Sequence, residues 1–297
     1  MTNKLAPGGT GKNSAWLGQR NPETEARYTK GDKTQAIQTQ SWIASVKGDD
    51  FTGLSAQQTG TSIFDPVLCE LAYRWFCPPS GLILDPFAGG SVRGIVAAKL
   101  GRQYTGIDLS TVQIAANEQQ ANEICDDIKP RWIVGDSRDA VTLAPNEYDF
   151  LFSCPPYGDL EVYSDDPKDL STLAYDDFHK AYRDIVADCV AMLKADRFAC
   201  FVVGDIRDKK GNYRNFVSHT IQAFEDAGAR LYNDAVLVTA VGSLPIRVGR
   251  QFDSGRKLGK THQNVLVFIK GNPRKATEAI GQVEFGDGKV EGMAQEE

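Results

Sequence analysis

The sequence predicts an α/β protein built on a doubly wound, mostly parallel sheet with a late antiparallel strand. Three observations carry this expectation. Short apolar runs alternate with segments of helical periodicity; those segments are long enough to cross between parallel strands; and the chain closes on two extended segments joined by one long connection.

Residues 1–60 are rich in Gly, Thr, Gln, Asn and Lys, with almost no hydrophobic periodicity. They read as a mobile or loosely packed arm, in which Trp16, Arg20, Arg27 and Trp42 are the side chains suited to a polyanion. The pattern changes at residue 61. Asp65 and Pro66 form an N-cap and first-turn pair, and Leu68, Leu71, Ala72 and Trp75 follow on one helical face. That helix ends at Cys77-Pro78-Pro79. Strands are then expected at 82–84, 103–107, 132–134, 150–152 and 198–203, with helices at 91–100, 111–124, 175–194 and 215–227 between them. Segments 231–240 and 265–269 make the late strand pair. One domain over 61–270, followed by a polar tail over 271–297, accounts for the chain.

Composition narrows the function classes. No apolar stretch approaches the ~20 residues of a membrane span, and the first residues, MTNKLAPGGTGKNS, lack the apolar region of a secretory signal, so the protein reads as cytoplasmic. The six cysteines are scattered with no CxxC pair, and the three histidines are equally dispersed. Buried free thiols, no disulfide framework and no metal are expected. The net charge of −6 argues against a nucleic-acid partner only on average. Between Ala240 and His262 there are five bases, Arg247, Arg250, Arg256, Lys257 and Lys260, against the single acid Asp253.

In a doubly wound sheet, ligands bind at the carboxyl ends of the strands. The first such end reads LILDPFAGGSVRG, where Asp85 leaves the strand and Gly89 and Gly90 let a ligand approach the backbone. The spacing is not that of a phosphate-binding GxGxxG loop, and no Gly-Lys-Ser/Thr follows. The second end, YTGIDLS, puts Asp108 nineteen residues after Gly89, a spacing suited to accepting from the two hydroxyls of a ribose. The third, WIVGDS, offers Asp136 and Ser137 to an adenine amino group. Any one of these residues is also an ordinary cap or turn residue. Together they outline a nucleoside pocket, with the Asp85 carboxylate where an amino acid's ammonium would sit.

Followed by the turn SCPPYG, these motifs resemble the amino-methyltransferases that modify exocyclic nitrogens of adenine or cytosine in DNA, over roughly residues 62 to 270. The resemblance implies a Rossmann-like S-adenosylmethionine-dependent methyltransferase fold, with 61–270 as the catalytic domain. It assigns Asp85, Phe87, Ala88, Gly89, Gly90, Asp108, Leu109, Asp136 and Ser137 to the cofactor, together with Ser62, Phe64 and Asp65 before the first helix. It implies double-stranded DNA as partner, with the target base flipped, and is compatible with a homodimer or a restriction partner.

The target amine is a poor nucleophile until its N–H groups are held by acceptors, and a flipped base needs a platform. The turn Ser153, Cys154, Pro155, Pro156, Tyr157 is the candidate catalytic element: the Pro155 carbonyl to accept, the Tyr157 ring to stack. In the family the residue before the prolines is Asp, Asn or Ser. Here it is Cys154, a weak acceptor. Three readings follow: Cys154 acts weakly beside the Pro155 carbonyl, Ser153 takes over, or the activity is lost or changed. Asp159, Glu161 and Tyr163 are candidates for the cleft mouth, and Gly204, Asp205 and Arg207 for the base pocket. About 60 residues separate the two motifs, too few for a recognition domain. The basic 241–262 segment, read as a flexible loop, is therefore the candidate phosphate contact, with a solvated hairpin tip as the plain alternative. Cytosine N4 and adenine N6 both remain open, as do RNA guanine N2, a protein glutamine amide and a non-catalytic cofactor-fold subunit.

Overall fold

A computed structural model describes residues 64–158, 163–238 and 244–283, with the side chains of 244–247 outside that description. The arm over 1–60, Ser62, Asp159, Glu161 and the tail from 284 onward lie outside the described residues.

The first helix, α1 (Pro66–Phe76), starts where the capping signal places it. The Asp65 carboxylate accepts from the Val67 and Leu68 N–H groups, at 2.8 and 3.2 Å. There follow β1 (Leu82–Asp85), α2 (Val92–Lys99), β2 (Gln103–Asp108), α3 (Thr111–Ile124), β3 (Arg131–Val134), α4 (Ala140–Leu143) and β4 (Tyr148–Ser153). The second half comprises α5 (Tyr175–Met192), β5 (Leu193–Val203), α6 (Phe216–Asp226), β6 (Arg230–Val238), α7 (Leu244–Gly255), β7 (His262–Lys270) and α8 (Pro273–Ile280).

The seven strands form one sheet in the order β3-β2-β1-β4-β5-β7-β6. All pairs up to β5 are parallel, and β7 runs antiparallel to both β5 and β6. This is a Rossmann-like arrangement, a doubly wound sheet closed by an antiparallel strand. The chain winds outward from β1 in one direction through β2 and β3, then crosses back to β4. The switch point falls between β1 and β4, where an open sheet has its ligand crevice.

Both faces are covered because the strand residues alternate between two cores. Leu84, Leu151, Ala199, Phe201 and Phe268 face α5 and α6, while Ile83, Phe150, Phe152, Cys200 and Val267 face α1, α2 and α8. On α5, Phe178, Tyr182, Ile185, Val186, Cys189 and Val190 are buried at the spacing of one helical stripe. The rings of Phe224 and Phe268 stack with centroids 3.9 Å apart.

β5 starts at Leu193, inside the end of the helix expected over 175–194; the short helix Ala140–Leu143 was not expected; and two segments read as loop and tail contain helices. The 241–262 stretch, read as a flexible loop, contains α7, so Arg247 and Arg250 are helical while Arg256, Lys257 and Lys260 follow it. The tail contains α8, whose Ala276 and Ile280 are buried against the sheet. Its start signal repeats that of α1: Asn272 accepts from the Arg274 and Lys275 N–H groups, and Pro273 opens the helix.

No helix among the described residues is long and apolar enough to cross a membrane, and no group of three metal-ligating side chains is found among them. All six cysteines are free thiols.

Phe268→Ala is expected to lower the unfolding free energy by about 3–5 kcal/mol in urea denaturation. Val236→Ala, on the exposed edge strand, should stay within about 0.5 kcal/mol.

Candidate functional site

The residues singled out at the ends of β1, β2, β3 and β4 come together along the carboxyl edge of the sheet. Adjacent strand ends are tied to one another. The Ala88 N–H donates to the Ile107 carbonyl at 3.0 Å, and the Gly135 N–H to the Asp108 carbonyl at 2.9 Å. The Ser137 hydroxyl donates to the Pro86 carbonyl.

At the centre is Asp85, which is fully buried. Its Oδ2 accepts from Arg93 Nε at 2.6 Å and from the Tyr104 hydroxyl at 2.7 Å. Its Oδ1 accepts from the Ser153 hydroxyl at 2.6 Å and from the Phe87 N–H at 3.1 Å. A carboxylate has about four acceptor positions, and all four are taken by protein donors. Asp85 therefore holds the turn from beneath and offers no free oxygen to an ammonium, which revises the role expected of it. Ser153, also fully buried, spends its hydroxyl on this carboxylate and does not reach the cleft. The reading in which Ser153 meets the substrate is corrected accordingly.

Arg93 was not singled out in the sequence, yet it builds the turn. Besides Asp85 it donates from Nη2 to the Phe87 and Ala88 carbonyls, at 2.6 and 2.9 Å. Its guanidinium lies 4.7 Å from the centre of the Phe64 ring, which in turn packs edge-on against Phe152. The chain segment before α1 is thus joined to the Gly-rich turn, though by Phe64; Asp65 is occupied as a helix cap.

Above this base the turn is open. Gly89 has φ +49°, a left-handed conformation favouring glycine, and a Cβ at either Gly89 or Gly90 would meet nothing within 4 Å. Asp108 fixes the turn by accepting from the Gly89 N–H at 2.9 Å and the Ser110 N–H at 2.8 Å. Burial raises its pKa, opposed by those two backbone donors. Two acceptor positions remain. Leu109, beside it, is half-buried. Asn117 on α3, a residue sequence reasoning missed, donates to the Gly89 carbonyl at 2.7 Å. Asp136 is bound to Arg138, with Nε contacts of 3.1 and 2.9 Å, so its oxygens already face a cation.

The proline turn leaves β4 beside this assembly. Pro155 is buried, whereas Cys154, Pro156 and Tyr157 are half-buried. Gly158 closes the turn at φ +58°, where a Cβ would come within 3.2 Å of the Tyr175 ring. The Cys154 sulfur lies 3.7 Å from the Tyr157 hydroxyl. Burial raises the pKa of both groups, so thiol and phenol are neutral near pH 7. Tyr157 receives a hydrogen bond from Gln263 and packs edge-on against Phe216, with centroids 5.9 Å apart.

A cleft of about 210 Å³ opens at Tyr157, lined also by Gly204, Asp205, Ile206, Lys260, His262 and Gln263. Sequence reasoning pointed to Gly204 and Asp205; His262 and Gln263 come from β7, whose proximity only the antiparallel pairing reveals. Of the five cations of the basic segment, Lys260 lines this cleft.

No protein-family model matches the chain, and the search of curated proteins also found no match. Solved structures are similar to it. TrmN from Thermus thermophilus is 17% identical, with 70% of this chain and 49% of that chain covered and a TM-score of 0.47. This chain thus spans about half the length of the Thermus protein. A TehB-like SAM-dependent methyltransferase from Corynebacterium glutamicum is 20% identical, over 80% of this chain and 97% of that one, with a TM-score of 0.43. Magnesium protoporphyrin IX methyltransferase from Synechocystis, with bound SAH, is 11% identical, over 69% and 80% of the two chains, with a TM-score of 0.45. At these identities the likeness is one of fold.

Arg93→Met should cost about 3–5 kcal/mol in urea denaturation, because it strands a buried carboxylate, and adding Asp85→Leu should recover part of that loss. Cys154, the one cysteine that is not buried, should be the first alkylated by iodoacetamide in the folded protein. Its rate should be slower at pH 8 than that of free cysteine and should climb at higher pH, since its thiolate forms later; peptide mass spectrometry reads both.

Proposed function

We propose that this chain is an S-adenosylmethionine-dependent methyltransferase acting on an exocyclic amino nitrogen of a flipped DNA base, cytosine N4 or adenine N6. The observation that carries the proposal is the Ser153–Asp85 hydrogen bond across the switch point. It clamps the Gly-rich turn and the proline turn side by side, so that what binds above one meets what binds above the other.

The chain's residues fit the cofactor. The open faces of Gly89 and Gly90 leave room above the backbone, and Asp108 keeps two acceptor positions for a pair of ribose hydroxyls. Asp136 would meet an adenine amino group only by sharing its oxygens with Arg138. The bound cofactor supplies an electrophilic methyl carbon. Everything else in the reaction is positioning.

For the base, the cleft at Tyr157 supplies the groups that the chemistry needs. The Tyr157 ring, held by Phe216 and Gln263, is a pre-set stacking surface, worth ~1–3 kcal/mol per base. Cys154, neutral and weakly accepting, leaves room for a stronger acceptor, and Asp205 stands in the cleft wall. One Asp205 oxygen is tied to the Val217 N–H at 3.2 Å, which fixes the side chain and leaves acceptor positions for an N–H of the target amine. The proton shed after transfer passes to solvent or to Asp205. Lys260 at the cleft wall, with Arg247, Arg250, Arg256 and Lys257 in the same connection, is suited to phosphates.

Incubating the purified chain with the cofactor and unmodified DNA, then digesting to nucleosides for mass spectrometry, should yield N4-methylcytosine or N6-methyladenine. Modification confined to RNA or to protein glutamine, or cofactor binding without transfer, would refute the DNA assignment. Tyr157→Ala and Asp205→Asn should each lower kcat/KM for DNA by roughly 10²-fold or more while leaving cofactor affinity, read by calorimetry, within about twofold.

A further inference from the structure

Between β5 and α6 the chain forms a small hairpin over residues 205–215. The Arg214 N–H donates to the Ile206 carbonyl at 2.9 Å and the Asp208 N–H to the Asn212 carbonyl at 2.8 Å, with Arg207 and Tyr213 paired between them. Arg207 donates from Nη1 to the Gly211 carbonyl at 2.7 Å, and its guanidinium lies 3.9 Å from the centre of the Tyr213 ring. Tyr213 is nonetheless 42% exposed. At the tip, Lys209 and Lys210 are exposed.

Asp208 is tied within the hairpin, accepting from the Asn212 N–H at 2.8 Å, and Asp205 sits at its root in the cleft wall, so the exposed tip carries Lys209 and Lys210. The hairpin therefore presents positive charge and a flat aromatic–guanidinium plate outward. It is not isolated: the Lys257 side chain lies against Gly211, so the cationic segment after α7 runs alongside. The root of the hairpin, at Gly204, Asp205 and Ile206, and the segment's Lys260 line the same cleft. Two cation-bearing segments thus flank one opening, and the Arg207–Tyr213 plate begins one residue beyond the cleft-lining Ile206. That combination suits a polymer with a negative backbone and flat, stackable bases.

We propose that this hairpin is a DNA contact surface, in which Lys209 and Lys210 hold backbone phosphates and the Arg207–Tyr213 plate stacks on a base neighbouring the one that enters the cleft. This rests on the reading of the cleft as a nucleobase site. It adds a sequence-tolerant grip that does not depend on α7, in a chain with no separate recognition domain between its two motifs.

The test is fluorescence anisotropy of a labelled DNA duplex with the full-length chain across a salt series. Lys209→Gln with Lys210→Gln should weaken binding and reduce the slope of log affinity against log salt by about two. Tyr213→Ala should weaken binding about tenfold at unchanged slope, and Tyr213→Phe should bind as wild type, which separates loss of stacking from damage to the hairpin. Wild-type affinity and slope in both the double lysine variant and Tyr213→Ala would overturn the proposal. Methyl transfer measured in parallel separates the two readings. A wild type that methylates DNA while the hairpin variants bind normally removes this surface alone, whereas a wild type that binds cofactor but neither binds nor methylates DNA removes both.

Discussion

The site depends on one buried ion pair. Asp85 and Arg93 leave water together, and the free energy of their attraction roughly offsets the cost of desolvating them, so the pair adds little to stability relative to an apolar substitute. What it adds is geometry. A buried carboxylate cannot tolerate empty acceptor positions, so Tyr104 from β2, Ser153 from β4 and the Phe87 N–H from the turn converge on it. Arg93 in turn reaches two turn carbonyls. Three strands and a loop are thereby pinned to one point, and the pinning is strong because any partial break leaves a charge unpaired.

That point coincides with the place where the winding of the sheet reverses. Strands β1 and β4 are neighbours there, but the helices that follow them lie on opposite faces, so their connecting turns diverge and leave a crevice. The pair sets the floor of the crevice. The two glycines keep one wall free of side chains, and the proline turn, stiff and closed by Gly158, makes the other. Pre-organisation of this kind suits a reaction in which the protein needs no covalent step, only two partners held at the right approach. It also bears on the thiol at the position where the family resemblance leads one to look for an oxygen. With Ser153 committed below and Cys154 neutral, the carboxylate that lines the cleft is Asp205, just past the end of β5.

Much of the fold was legible in the chain. Residues 111–124 and the cap at Asp65 were placed as found, because their signals are local: periodicity, a capping carboxylate, a proline in the first turn. The misses have physical causes as well. Asn272-Pro273 carries the same cap signal as Asp65-Pro66, but it opens a short helix with many polar residues, and only packing against α1 and the sheet gives Ala276 and Ile280 a purpose. The glycines of α7 obscured its period. In the site, strand-end residues could be named because strand ends are predictable, whereas Arg93, Asn117 and Gln263 sit on neighbouring elements where nothing local marks them. Their partners lie 8, 28 and 106 residues away.

The sequence by itself determined the alternation of strands and helices, the identity of the turns at the carboxyl edge and the chemistry those turns resemble, since each follows from residues within a few positions of one another. Tertiary structure alone decided which of those residues stay open to the crevice and which hold its floor. Asp85 and Ser153 read as site residues in one dimension and prove to be its foundation in three, because burial and hydrogen-bond saturation are properties of what surrounds a side chain, and here the surroundings arrive from three other elements of the chain.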